Sequence, residues 1–273
     1  QGSDEIVIGI TDTGIDIDHE DLASAMVLNE NDPVDGIDND QNGYVDDYLG
    51  WNFYNDNNNP DEFSWSHGTH VSGLAGAATN NGIGIAGTSF NCKILSIKCG
   101  DKLELTHGYE GVIYALERGA DIINCSWGST SYTEYGNDVM KYATEQGALV
   151  VCAAGNNNDE RDFYPASFGV TLSVAASDSL TQKAIFSSYN YNVDVTAPGQ
   201  WVISTKNDNT YAQDNGTSMA SPIVAGAAAL VKLRFPNMTP AQIKAQIVNT
   251  AKNIYGTENN QKFLGQLGSG LLD

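Results

Sequence analysis

The chain predicts an α/β fold: a three-layer arrangement in which helices flank both faces of a mostly parallel, twisted β-sheet. Two observations carry this expectation. Brief β-branched or apolar runs recur along the chain, and stretches with helical spacing, stopped by glycine, lie between them. Strands joined in that way run parallel through right-handed crossovers. A third observation sets the scale: 273 residues suit one large core. A single domain over 1–273 is therefore expected.

The elements follow in order. Residues 5–11 form a continuous apolar run, as in a strand buried on both faces, and it ends at Asp12-Thr13-Gly14. A carboxylate at the carboxyl end of a buried strand is costly unless something holds it. Aspartic proteases use Asp-Thr-Gly, but they need two copies and this chain has one. The remaining chemistry is a carboxylate that orients a histidine. Ser66-His67-Gly68-Thr69-His70-Val71-Ser72-Gly73 opens a helix of small residues predicted to reach about Thr79. The two histidines lie three apart with no glutamate beside the first, which fails the zinc-protease pattern. Further strands are predicted over 93–99, 121–127, 148–153 and 171–176, with helices over 105–119 and 132–147. Gly216-Thr217-Ser218-Met219-Ala220-Ser221-Pro222 then leads into an alanine-rich apolar run over 223–233. That places Ser218 in or near the first turn of a buried helix, where unpaired N–H groups favour developing negative charge. Thr239-Pro240 begins a last helix, with threonine as cap and proline in the first turn.

Charge is the unusual part of the composition. Thirty-four acidic residues face 13 basic ones, and residues 1–92 hold 17 Asp/Glu with no Lys or Arg. Such a surface is a poor partner for nucleic acid. That segment cannot neutralise itself by ion pairs, so bound cations are expected. Within it, Asp38, Asp40 and Asn42 alternate ahead of Gly43 and Tyr44, with Asp35 and Asp47 on either side. Oxygen side chains spaced in this way, in a flexible loop, suit calcium better than magnesium. The glutamate that would close a standard EF-hand is replaced by Leu49. Cys92, Cys99, Cys125 and Cys152 lack metal-finger spacing and read as buried free thiols. No apolar run is long enough to span a membrane.

Asp12, His67 and Ser218, in that order, resemble the subtilisin-like serine proteases (subtilases). The resemblance covers nearly the whole chain and rests on the three motifs quoted, with Ala153-Ala154-Gly155-Asn156 as a fourth. It implies the subtilisin-like fold and a serine endopeptidase in which His67 activates Ser218, Asp12 orients His67, and Asn156 joins the oxyanion hole. It also implies a specificity pocket walled by Ser126-Trp127-Gly128 and by Ala153, Ala154 and Gly155. Phe163 takes a place where the family often has glycine, and would shorten that pocket. The edge over residues 100–106 also departs from the family's usual short glycine-rich one. A second calcium site is implied at Asp21 with the turn Thr79, Asn81, Ile83 and Ile85. The same resemblance points to a secreted or cell-surface monomer acting on protein or peptide substrates, made with an inhibitory prodomain. Two alternatives stand beside this reading, one within the same fold and one from a different class. A peptide transamidase or macrocyclase would use the same acyl-enzyme, usually under an inserted cap. A non-catalytic calcium-binding module would be expected to have lost part of the triad.

Overall fold

In the computed structural model, which describes residues 2–102 and 104–273, seven parallel strands form the central sheet. Gln1 and Leu103, the latter inside the 100–106 edge, lie outside the described residues. In chain order the elements are β1 (Val7–Asp12), β2 (Gly50–Asn52), α1 (His67–Gly76), β3 (Lys93–Lys98), and a short hairpin of β4 (Gly100–Asp101) and β5 (Glu104–Leu105). Next come α2 (Gly108–Glu117), β6 (Ile122–Cys125), α3 (Glu134–Glu145), β7 (Leu149–Ala153), β8 (Leu172–Ser177) and β9 (Val195–Pro198). A second hairpin, β10 (Val202–Lys206) with β11 (Thr210–Asp214), precedes α4 (Thr217–Arg234), α5 (Pro240–Thr250) and α6 (Glu258–Gln261). The sheet order is β2-β3-β1-β6-β7-β8-β9, every neighbouring pair parallel.

Alternation along each strand divides the core into two layers, because successive side chains leave a strand on opposite faces. Ile8, Ile10, Ile94, Ile122 and Leu149 pack with Val71 of α1, Val224 and Ala228 of α4, and Ile243 of α5. Their neighbours Leu95, Ile97, Ile123 and Val150 face the other way, onto Val112 and Ala115 of α2 and Met140 of α3. This is the expected three-layer α/β arrangement.

Two strands of the central sheet, β2 and β9, lie outside the expected strands, and both are edge strands. The hairpins β4–β5 and β10–β11 are likewise additional to them. The helix expected to reach Thr79 ends at Gly76, and a turn follows. Thr239 caps α5 as expected, accepting from the Gln242 N–H while the Gln242 side chain accepts from the Thr239 N–H. The cysteines are free and buried. No helix among the described residues is long and apolar enough to cross a membrane.

Candidate active site

The carboxyl ends of the central strands meet the N-termini of α1 and α4 at one cleft, the usual place for ligands in an open parallel sheet. β1 delivers Asp12 there with no solvent exposure. One carboxylate oxygen, Oδ1, accepts from the Thr13 N–H at 2.8 Å and from His67 Nδ1 at 2.7 Å. This fixes the tautomer of His67, leaving Nε2 as its basic nitrogen. Burial alone would favour the neutral ring. The carboxylates of Asp12, Glu62 and Asp214 outweigh it and raise the His67 pKa above the ordinary histidine value.

α1 comes this close to β1 because its second residue is glycine. A Cβ on Gly68 would stand 2.0 Å from the Gly14 carbonyl oxygen and 3.1 Å from the Asp12 Cβ. His70, on the same helix, is buried, with Nε2 3.1 Å from the Ala212 carbonyl oxygen. Burial, with Lys206 nearby, lowers its pKa to about 4, so it stays neutral and serves packing.

On the opposite wall Ser218 occupies the first turn of α4 and is almost fully buried. Its hydroxyl donates to the Ser126 carbonyl at 3.1 Å, not to His67. The start of α4 is anchored by a chain of polar contacts. Ser221 Oγ donates to Asn124 Oδ1, Asn124 Nδ2 to Ser126 Oγ, and Ser126 Oγ to the Ser218 carbonyl. Asn156 follows β7, and its side-chain oxygen accepts from both the Thr217 N–H (2.8 Å) and the Thr217 hydroxyl (3.0 Å). With that oxygen occupied, the Nδ2 donor is the free end of the amide. His67, Asn156 and Ser218 line the same cleft, of about 560 Å³.

Ser126, Trp127, Gly128 and Phe163 also line this cleft. Ala153 and Ala154 are buried and, like Gly155, are not part of its lining. The Phe163 ring lies between the two glycines of the expected walls. A Cβ on Gly128 would stand 2.6 Å from it, and one on Gly155 3.2 Å. Trp127 turns inward, donating its indole N–H to Thr11 Oγ1 at 3.0 Å.

Sequence reasoning passed over Glu62, which is 3% exposed. Its carboxylate accepts from the Thr13 hydroxyl, from the His67 N–H at 3.2 Å, and from the Thr69 N–H and hydroxyl at 3.0 and 2.8 Å. In the sequence it is one carboxylate among ten over residues 30–62, and nothing local marks it out.

The acidic loop also differs in detail from its reading. The carboxylates that converge are Asp32, Asp38 and Asp40, with oxygens within 4.8 Å of one another. Asp35 instead accepts from Ile37 N and Asn39 Nδ2. Asp47 is buried, paired with Arg118 at 2.9 Å and bonded to the Tyr114 hydroxyl at 2.6 Å. Asn42 bridges Asp40 and Asp47, and Tyr44 packs against Trp51 and Tyr114. At the second place, the fully buried Asp21 accepts from Asn81 Nδ2 at 2.7 Å and from Ile85 N at 2.9 Å. The turn carrying Thr79 and Ile83 is shaped by Gly82 and Gly84, both at positive φ.

Comparison with known proteins matches residues 3–270 to the Subtilase family. A thermophilic serine proteinase from a Bacillus strain is 38% identical over 98% of this chain, which spans 62% of that protein. Thermitase from Thermoactinomyces vulgaris is 37% identical over 92% of this chain and 82% of its own length. A halolysin-like extracellular serine protease from Natrialba magadii is 34% identical over 96% of this chain and 46% of its own. Among solved structures, a protease from Pseudoalteromonas arctica superposes with a TM-score of 0.80. It is 30% identical, and the match covers 98% of this chain and 87% of that one.

Proposed function

The chain belongs to the subtilase family, and from that membership and the geometry of the cleft we propose that it is a serine endopeptidase. The observation that carries the reading is the half-buried His67, held by the fully buried Asp12, on the same cleft as Ser218 and an Asn156 amide already turned by Thr217. For attack, the Ser218 hydroxyl must leave the Ser126 carbonyl and donate to His67 Nε2. The oxygen attacks the substrate carbonyl carbon while its proton passes to Nε2, and Asp12 stabilises the imidazolium. Negative charge on the carbonyl oxygen is met by Asn156 Nδ2 and the Ser218 N–H. His67 then protonates the leaving amine, and water releases the acyl group by the same steps in reverse.

Two structural calcium sites accompany this reading. Asp32, Asp38 and Asp40 would form the first, with Asn42 beside them and Asp47 as support. Asp21 and the 79–85 turn would form the second, a buried carboxylate with no ion-pair partner among the described residues. Hard oxygen donors suit calcium, which would neutralise charge and hold these loops. By kinship the enzyme acts outside the cell on protein or peptide substrates and is made with a prodomain. The complete triad and the Asn156 amide favour catalysis over a purely calcium-binding role.

A serine-directed fluorophosphonate tests the reading. It is expected to label the protein once, at Ser218, and to leave Ser218→Ala unlabelled. The same substitution should lower kcat by roughly a millionfold, the magnitude known for subtilisin itself. Substantial peptidase activity in Ser218→Ala would mean that the nucleophile lies elsewhere.

A further inference from the structure

We propose that Glu62 is a positioning residue for catalysis, a second buried carboxylate that clamps the helix bearing His67 to the strand bearing Asp12 and adds its charge to the field on the imidazole. The inference rests on the peptidase reading.

The geometry begins with a missing cap. Ser66, at the N-cap of α1, has a left-handed backbone and makes no side-chain capping bond. The first N–H groups of a helix need acceptors, and a negative charge there is favourable. Glu62 supplies both from outside the helix, one oxygen taking the His67 N–H and the other the Thr69 N–H and hydroxyl. The first oxygen also receives the Thr13 hydroxyl, whose oxygen in turn accepts from the Gly68 N–H at 3.0 Å. Four donors on two oxygens fill the acceptor capacity of an ionised carboxylate. Thr13 is next to Asp12 in the chain, so this one side chain ties the end of β1 to the start of α1.

Other groups complete the electrostatic surroundings. Asp12 and Asp214 also face the imidazole, Asp214 being paired with Lys206 at 3.0 Å, and His70 stands one turn along α1. Asp61 adjoins Glu62, and the Lys98 ammonium lies on the Asp61 carbonyl at 2.8 Å. Burial raises the Glu62 pKa above the usual carboxylate value, with the charge of Asp12 adding to it and the bonds from Thr13 and Thr69 opposing it. A negative charge at 62 favours the protonated ring. Removing it must therefore lower the His67 pKa and move the acid limb of the pH–rate profile to lower pH.

The test uses the full chain with Glu62→Gln, which keeps the shape and removes the charge, and Glu62→Asp, which keeps the charge on a shorter arm. kcat and KM are measured against pH, and the His67 imidazole is titrated by NMR in a Ser218→Ala background. For Glu62→Gln we expect kcat to fall about ten- to a hundredfold with KM held, as for a small misplacement of reacting groups. The acid limb and the NMR titration should both move to lower pH. Glu62→Asp should bring the titration back toward the original. A Glu62→Gln protein with unchanged kcat and unchanged His67 titration overturns the proposal. So does lost activity that tracks only a lowered Tm, with the titration in place. If Glu62→Gln does not fold, Glu62→Asp decides: the shorter arm should loosen the clamp and lower kcat, and an unchanged kcat in Glu62→Asp overturns the proposal equally. The NMR arm needs no turnover, so it separates failure of this proposal from failure of the peptidase reading.

Discussion

Residues 1–92 and residues 93–273 divide the charge of this protein unequally and share its candidate active site. The first segment holds 17 carboxylates and no Lys or Arg; the second holds all 13 basic residues and the other 17 acids. Asp12 and His67 come from the first, Asn156 and Ser218 from the second. Among the described residues, one Lys or Arg ion pair crosses between them, Arg118 with Asp47. The other cations that reach across, Lys93, Lys98 and Lys206, donate to the carbonyls of Ser24, Asp61 and Ser66 instead of to carboxylates of that segment. The acidic segment is thus tied to its neighbour by strands, packing and backbone acceptors. Its charge remains for solvent cations to meet.

The largest expected effect comes from cutting the one ionic crossing. Arg118→Met leaves Asp47 buried without its counter-charge and should cost about 3–5 kcal/mol in chemical denaturation. The double change with Asp47→Asn should recover part of that, and a double variant no better than the single would show that packing, not charge, is responsible. Next comes the second segment's contribution to the cleft. Asn156→Ala should lower kcat by roughly a hundred- to a thousandfold with KM little changed, as the equivalent loss does in subtilisin. A change confined to KM would assign Asn156 to substrate binding. The smallest effect is on the cations of the first segment. With calcium at a hundred times its Kd, chelation should remove about 2.7 kcal/mol per site and lower Tm by roughly 5–10 °C for each. An unmoved melt would leave the acidic loops without ions and the charge contrast without a remedy.

Much of the architecture was legible because the buried strands announce themselves as apolar runs, and the helices between them stop at Gly119 and Gly147, both at positive φ. The edge strands were not. Gly50–Asn52 is three residues long inside an acidic stretch, and Val195–Pro198 ends in a proline, so neither offers a period to read. The hairpin over 202–214 is partly exposed and polar, and its pairing depends on a turn through Asp208 and Asn209, both at positive φ. At the site, Asp12, His67, Asn156 and Ser218 stood out because each sits in a motif beside a strand or helix end. Glu62 and Asp32 did not. Which carboxylates of a charged run turn inward is decided by partners far along the chain or across a loop, here Thr69 for one and the Asp47 N–H for the other. Asp47 shows the converse, since its ion pair with Arg118 joins residues 71 apart.

The four thiols, each buried and uncrosslinked, bear on how long such an enzyme survives among its own copies. Without a disulfide, no covalent tie restrains the opened chain, and under the peptidase reading each molecule that unfolds is a substrate for its neighbours. Working life is then governed by how often the native state opens, and ion occupancy in the acidic loops would set that frequency. If those loops hold calcium, dilution into a calcium-poor medium would shorten that working life.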